Sequence, residues 1–554
     1  MKASFILKFY LLSFAFVLLS FFPPSGGVRG AVPPWPSWIF THWVWENEGT
    51  TQSARQLVDD YLAHNIPVGA IIIDSPWETG YNTFEFDTNL YPDAQQMIDY
   101  FHSKNVKVFI WITSMINIDI PLWAYADSMG YFMCANDSSG STVINWWKGD
   151  GSLVDFFNPD AVAWWKTLMD KALAMGIDGW KCDGTDFDVF QAPYSPYLQA
   201  NVTRNDYSEQ YYRLFHDYSR QVLGNDRVIT ARPVDNYGLF DIGGPYAAFA
   251  PVDITFCGWV GDQDATFNGL KKALNNMYWS SDWGYLSFGS DIGGFRFDTN
   301  YVEGRSKELL IRWAQMGAFC PIMENGGNGE HRPWMFDSET DEIYRTFVNL
   351  HHALIPYFME QGDTAFQQGK SLMTFFNKTE YSYMLGTDIL VVPMLSASND
   401  FNYTFPDTIK WVYLFDTTLK FYGGQMLFWT MPLDEFPVFI KEGSPMVTIL
   451  SAVIPGSDEL QTGEMKIYPN PANSFLTIEI PSGNIHEYAF DLIDITGRTI
   501  EKIPFHGAHK NFPPKDGSAS VDRKTIAVSN LPDGIYFLKL IYDDGVLMKK
   551  IIIE

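Results

Sequence analysis

The chain runs to 554 residues, 46% hydrophobic and 19% charged, with a formal net charge of −27. That length allows two to four domains around a large core, and the composition is globular rather than disordered. So acidic a chain argues strongly against nucleic acid or an anionic bilayer surface as partner, and suits an exported protein.

In chain order, residues 1–30 read as a signal peptide. Lys2 and Lys8 precede an apolar run from Phe9 to Phe22, and Gly26, Gly27, Gly30 and Ala31 supply small residues after it. The run is short for a membrane span, so the mature chain is expected to carry none. From 31 to 361, eight apolar, β-branched runs are predicted strands: 38–45, 70–74, 106–113, 179–183, 228–233, 254–260, 285–291 and 321–325. Helical patterns at 94–104, 160–175, 209–223, 270–279 and 306–319 fall between them. Eight repeats of strand then helix predict an α/β fold, a (β/α)8 TIM barrel. Over 362–460 the pattern changes to short strands with turns, at 371–376, 381–385, 389–393, 411–415 and 438–441, which predicts a β-sandwich packed on the barrel. A connector at 455–462 leads to a small all-β unit over 461–554. The four cysteines lack paired spacing, so neither disulfides nor a zinc site is expected.

A barrel gathers the C-terminal ends of its strands on one face. Asp74, Asp183, Arg232, Asp262, Asp291 and Glu324 each fall at or just after such an end, which predicts that they converge on one pocket. The sharpest signal is Gly179-Trp180-Lys181-Cys182-Asp183-Gly184, an apolar strand that stops on a carboxylate. Beside Lys181, Asp183 is expected to stay ionised and act as a nucleophile. Asp262 follows Trp259-Val260-Gly261, where desolvation would raise its pKa and suit a general acid. Two carboxylates in different surroundings are the minimum equipment for cleaving a glycosidic bond, at about 5 Å apart for retention and roughly 6.5–9.5 Å for inversion. Asp183, Asp186 and Asp188 lack the glycine and distal glutamate of a calcium loop. No metal or cofactor is expected.

Several motifs, in order, resemble glycoside hydrolase family 31. They are Val154-Asp155-Phe156-Phe157-Asn158-Pro159 with Trp164-Trp165, Trp180-Lys181-Cys182-Asp183, Trp259-Val260-Gly261-Asp262, Asp291-Ile292-Gly293-Gly294-Phe295, Arg312-Trp313 and Pro333-Trp334. The resemblance covers roughly 35–450 and implies a retaining α-glycosidase, with Asp183 as nucleophile and Asp262 as acid/base. It also implies sugar contacts from Asp74, Arg232, Trp259, Asp291 and His331, and Lys181 and Glu324, on the same strands' ends, are expected to bind the substrate with them. The C-terminal unit resembles the sorting domain of the Bacteroidetes type IX secretion system, through Tyr468-Pro469-Asn470-Pro471, Asp494-Ile495-Thr496-Gly497-Arg498 and Gly534-Ile535-Tyr536. That implies export by the type IX machinery, ending at the cell surface or outside.

Two departures bear on the substrate. Lys181-Cys182-Asp183-Gly184-Thr185-Asp186 replaces the glucosidase pattern and looks more like non-glucosidase branches and related α-galactosidases, and Met323 to His331 replaces the family's Arg-x-His segment. The N-terminal β-sandwich common in the family is not expected here, so a loop it would lend to the pocket must come from elsewhere or be absent. The expected activity is removal of a terminal α-linked sugar from oligosaccharides or glycosides. α-Galactosides or α-glucosides rank first, with α-N-acetylgalactosaminides and α-xylosides behind. A transglycosylase and a non-catalytic sugar-binding barrel are the rivals.

Overall fold

A computed structural model describes residues 33–137, 140–185, 189–234, 250–376, 380–406, 409–454, 466–481, 488–494, 499–505, 521–532, 534–542 and 545–553. The signal segment, the 455–462 connector, the 495–498 motif, Asp186 and Asp188 lie outside the described residues. Every predicted barrel strand is present: His42–Glu46, Ala70–Ile73, Lys107–Ile112, Gly179–Cys182, Val228–Ala231, Cys257–Trp259, Phe288–Gly289 and Met323–Asn325. They pair in parallel in the spatial order seventh, sixth, fifth, fourth, third, second, first, eighth. The remaining seam is joined at the mouth, where Asp291 bridges Glu324 in parallel and the Ile292 N–H donates to the Glu324 carbonyl at 3.0 Å.

Helices follow where the sequence offers caps. Thr50, Asn158, Thr203, Thr266, Ser306 and Asp337 each accept a backbone N–H at a helix start, relieving at least one orphan donor apiece. Asn158 does so from the Asp155–Pro159 motif, whose conspicuous residues serve folding: Asp155 accepts from Ser195 Oγ at 2.7 Å, and Trp165 is fully buried.

After the helix Ile355–Gln367 comes a six-stranded antiparallel sheet, in the order Met373–Phe375, Tyr383–Leu385, Ile389–Val391, Val438–Lys441, Lys410–Tyr413, Lys420–Tyr422. Asp400–Thr404 and Met426–Thr430 form a separate pair. This layer shares one hydrophobic core with the barrel. Arg312, buried on the helix Lys307–Ala318, ties the two: its guanidinium donates to the carbonyls of Glu435 (2.8 Å) and Pro432 (3.1 Å) and to Asn399 Oδ1 (3.0 Å). Among the described residues after 465, two antiparallel sheets form, of three and four strands, with their own core of Leu476, Ile478, Phe490, Leu492, Leu538 and Ile551. All four cysteines are buried, and none of them forms a disulfide. No described helix is long and apolar enough to cross a membrane.

Candidate active site

Strand parity decides which side chains reach the barrel mouth. On Gly179–Cys182, Trp180 points outward and its indole N–H donates to Ser219 Oγ on the helix Arg204–Leu223 at 2.8 Å. Lys181 and Asp183 therefore take the inner parity. The Asp183 N–H extends the ladder to the Ile112 carbonyl at 2.8 Å, and the Gly184 N–H closes on Asp183 Oδ1 at 2.9 Å. Gly184 sits at φ 82°, and a Cβ there would lie 2.8 Å from Thr113 Cβ. The turn that aims the carboxylate thus requires glycine.

Arg232 joins the two predicted catalytic acids. Its Nε lies 3.5 Å from Asp183 Oδ1, one terminal nitrogen donates to Asp262 Oδ2 at 2.5 Å, and the other donates to the Gly261 carbonyl at 3.2 Å. The guanidinium lies 4.0 Å from the Trp259 ring centroid. Asp262 has φ 70°, a left-handed conformation that aspartate tolerates better than most residues, and its N–H donates to Asp291 Oδ2 at 2.8 Å. The Trp111 indole N–H reaches Asp183 Oδ2 at 3.3 Å.

Lys181 is held below this pair. Its ammonium donates to Asp74 Oδ2 at 2.9 Å and lies 3.9 Å from the Trp45 ring centroid and 4.8 Å from that of Trp259. Burial alone would lower its pKa, but the carboxylates of Asp74, Glu324 and Asp291 outweigh it and hold the amine charged, above the ordinary lysine value. Burial pushes Asp291 up to about 6 and Glu324 up to about 8, against the pull of Lys181. Glu324 is fully buried, and neither oxygen accepts a well-aligned hydrogen bond, although the Trp45 indole is near.

The charge pattern differs from the sequence expectation. The Asp183 side chain is 9% exposed and that of Asp262 17%, so the more desolvated acid is Asp183. Burial raises its pKa, with Arg232 rather than Lys181 as the main counterweight and Asp262 adding to the rise. The reason is geometric: Asp74 takes the Lys181 ammonium that the sequence appeared to offer Asp183.

A cavity of about 660 Å³ opens over these groups. Of the residues nominated from sequence, Asp74, Lys181, Asp183, Arg232, Trp259 and Asp262 line it. Asp291 and Glu324 lie buried off the lining, Asp291 bonded to Asp262 and both beside Lys181. His331 is off the lining too. It is buried against the Arg305 guanidinium, and burial, then that charge, holds it well below the usual histidine value, so the ring is neutral. Its carbonyl accepts from Asn325 Nδ2 at 3.0 Å, which fastens the loop after the eighth strand.

Sequence reasoning missed Trp45, Asn47, Trp111, Phe295, Asn328 and the run Asn145-Trp146-Trp147-Lys148, all on the lining. The strand-end rule could have found Trp45, but nothing in the sequence marks a hairpin tip as facing the mouth. Among the described residues, no group of three or more His, Cys, Asp or Glu is placed to hold a metal ion.

Three family descriptions match the chain: the glycosyl hydrolases family 31 TIM-barrel domain over 32–361, the family 31 C-terminal domain over 339–445, and a secretion system C-terminal sorting domain over 466–554. Relatives include an alpha-xylosidase of Emericella nidulans, 27% identical over 443 residues, covering 74% of this chain and 53% of that protein. Another is alpha-glucosidase 2 of Bacillus thermoamyloliquefaciens, 23% identical over 488 residues, covering 85% and 59%. The chain thus spans little more than half the length of these curated relatives. Similar folds include a GH31 alpha-xylosidase from a soil metagenome complexed with xylose (TM-score 0.62, 22% identity, 76% of this chain and 65% of that one). A GH31 dextranase of Flavobacterium johnsoniae complexed with glucose is also similar (TM-score 0.65, 19% identity, 92% and 62%).

Proposed function

The chain belongs to glycosyl hydrolase family 31, and from that premise we propose that it is an exported, retaining exo-α-glycosidase working by double displacement. The observation that carries this reading is Arg232, one guanidinium spanning the carboxylates of Asp183 and Asp262 at the floor of the pocket. That arrangement favours the short separation of about 5 Å that retention needs over the ~6.5–9.5 Å of inversion. Asp183, on a rigid strand end, attacks the anomeric carbon. Asp262, on a loop beside the pocket, protonates the departing oxygen and then takes a proton from the incoming water.

Mutual repulsion supports the division of labour. Each carboxylate opposes ionisation of the other, so the pair favours one shared proton, giving one acid and one anion, and Arg232 pulls the Asp183 pKa down against the larger effect of burial. Asp74, Lys181 and Trp259 are assigned to the sugar, with Asp291, Glu324 and His331 supporting it from outside the lining. α-Galactosides and α-glucosides remain the first substrates to test. The relatives named for xylose raise α-xylosides beside them, and α-N-acetylgalactosaminides and transglycosylation stay in the assay. A cleaved signal peptide over 1–30, a barrel over 31–361, a β-sandwich over 362–460 and a sorting domain over 461–554 complete the proposal. The helix Ile355–Gln367 runs across the limit between barrel and sandwich.

A panel of aryl α-glycosides, run with wild type, Asp183→Ala and Asp262→Ala, tests the reading. Turnover by wild type, abolished by Asp183→Ala, is expected, with the α-anomer released first by proton NMR. No turnover on any α-glycoside, or release of the β-anomer first, rejects it.

A further inference from the structure

One wall of the pocket has no part in the chemistry above. Beyond the third barrel strand the chain folds a three-stranded antiparallel sheet, Met115–Asn117, Gly149–Leu153 and Ile144–Trp146 in spatial order. The tip of its hairpin, Trp147-Lys148, reaches the cavity together with Trp146.

The two tryptophans are treated in opposite ways. Trp146 is built into the protein: it is 6% exposed, its indole N–H donates to Asn117 Oδ1 at 2.8 Å, and Tyr81 packs edge-on against it at 5.4 Å. Trp147 stands edge-to-face on Trp146 at 5.0 Å yet is 49% exposed. Its ring is backed by a fixed neighbour and open toward the cavity. A large indole left half in water is recovered energetically only when an apolar face covers it. A pyranose offers such a face in its axial C–H bonds. Beside the ring stands the Lys148 ammonium, paired only loosely with Glu48 at 4.0 Å, as a donor for hydroxyls. An aromatic wall with a few polar groups is the usual make-up of a sugar-sized site.

The geometry points to a second subsite, in which Trp147 is the platform for the leaving-group sugar, so that the substrate is an α-linked disaccharide or oligosaccharide. This rests on the hydrolase reading above and extends it from the sugar attacked to the sugar released.

The test compares leaving groups. Full-length wild type, Trp147→Ala and Trp147→Phe are assayed on α-glucosyl, α-galactosyl, α-xylosyl and α-N-acetylgalactosaminyl fluorides and on α-linked disaccharides of the same sugars. Fluoride is a single atom and has no ring to place on Trp147. For Trp147→Ala, kcat/KM on the disaccharide is expected to fall about tenfold more than on the fluoride, mainly through KM, and Trp147→Phe to regain most of the loss. Equal losses on both substrates, or no loss on either, overturn the platform alone. Wild type inert toward every fluoride and disaccharide overturns the hydrolase reading and the platform with it.

Discussion

Replacing Glu324 by Gln perturbs a costly buried acid of the barrel, and the sign of the effect depends on pH. Glu324 is fully buried, and burial raises its pKa from 4.5 to about 8. In the unfolded chain it titrates near 4.5. Between those two values the folded protein keeps a proton that the unfolded chain has released. The native state then binds more protons, so its stability falls as pH rises through this window, and the loss is complete above the folded value. At about 1.4 kcal/mol per pH unit, the ceiling is on the order of 5 kcal/mol. Gln cannot ionise and escapes this loss. Glu324→Gln should therefore melt close to wild type near pH 4.5 and gain on it steadily, by several degrees, until about pH 8. Thermal unfolding of both proteins in matched buffers from pH 4.5 to 9.5 reads the difference. Titrations shared by the two cancel, and any pH-independent offset from the amide leaves the slope unchanged. A flat difference, or wild type gaining as pH rises, refutes the reasoning; the latter is what an ionised Glu324 paired with Lys181 would give.

Arg232→Met removes the main group that lowers the Asp183 pKa, so the acidic limb of the kcat/KM profile should move to higher pH while the maximum falls roughly a hundredfold or more. An unmoved limb contradicts the electrostatic role. Lys181→Met leaves Asp74 buried beside Asp291 and Glu324 without its cation; a loss on the order of 3–5 kcal/mol is expected in denaturant unfolding, and a change below ~1 kcal/mol counts against the pairing. Gly184→Ala forces a side chain into positive φ against Thr113 and should cost about 1–3 kcal/mol and lower kcat more than KM, whereas an unchanged kcat would mean that the turn does not aim Asp183.

The eight strands were legible because each lies in a buried, largely apolar run, and of the six residues the strand-end rule picked out, Asp74, Asp183, Arg232 and Asp262 line one pocket while Asp291 and Glu324 lie buried beside it. Electrostatics was less legible. Lys181 is two residues from Asp183 in sequence, yet its ammonium goes to Asp74 across the barrel, 107 positions away, and the cation on Asp183 comes from the neighbouring strand. His331 illustrates the same limit: a histidine in a mouth loop looked available to a sugar, but Arg305, from a separate loop, claims its ring. The Trp146-Trp147 tip was invisible because its role comes from a hairpin whose pairing with Met115–Asn117 no local pattern announces.

Chemical rescue of Asp183→Ala by azide tests the assignment of the nucleophile most directly. With an α-glycosyl fluoride that wild type hydrolyses, the variant alone should be nearly inactive. Azide should enter the space left by the carboxylate, attack from the face opposite the leaving group, and restore turnover as a β-glycosyl azide. An α-glycosyl azide would make Asp183 the acid/base instead, and near-wild-type hydrolysis without azide would remove it from the chemistry altogether.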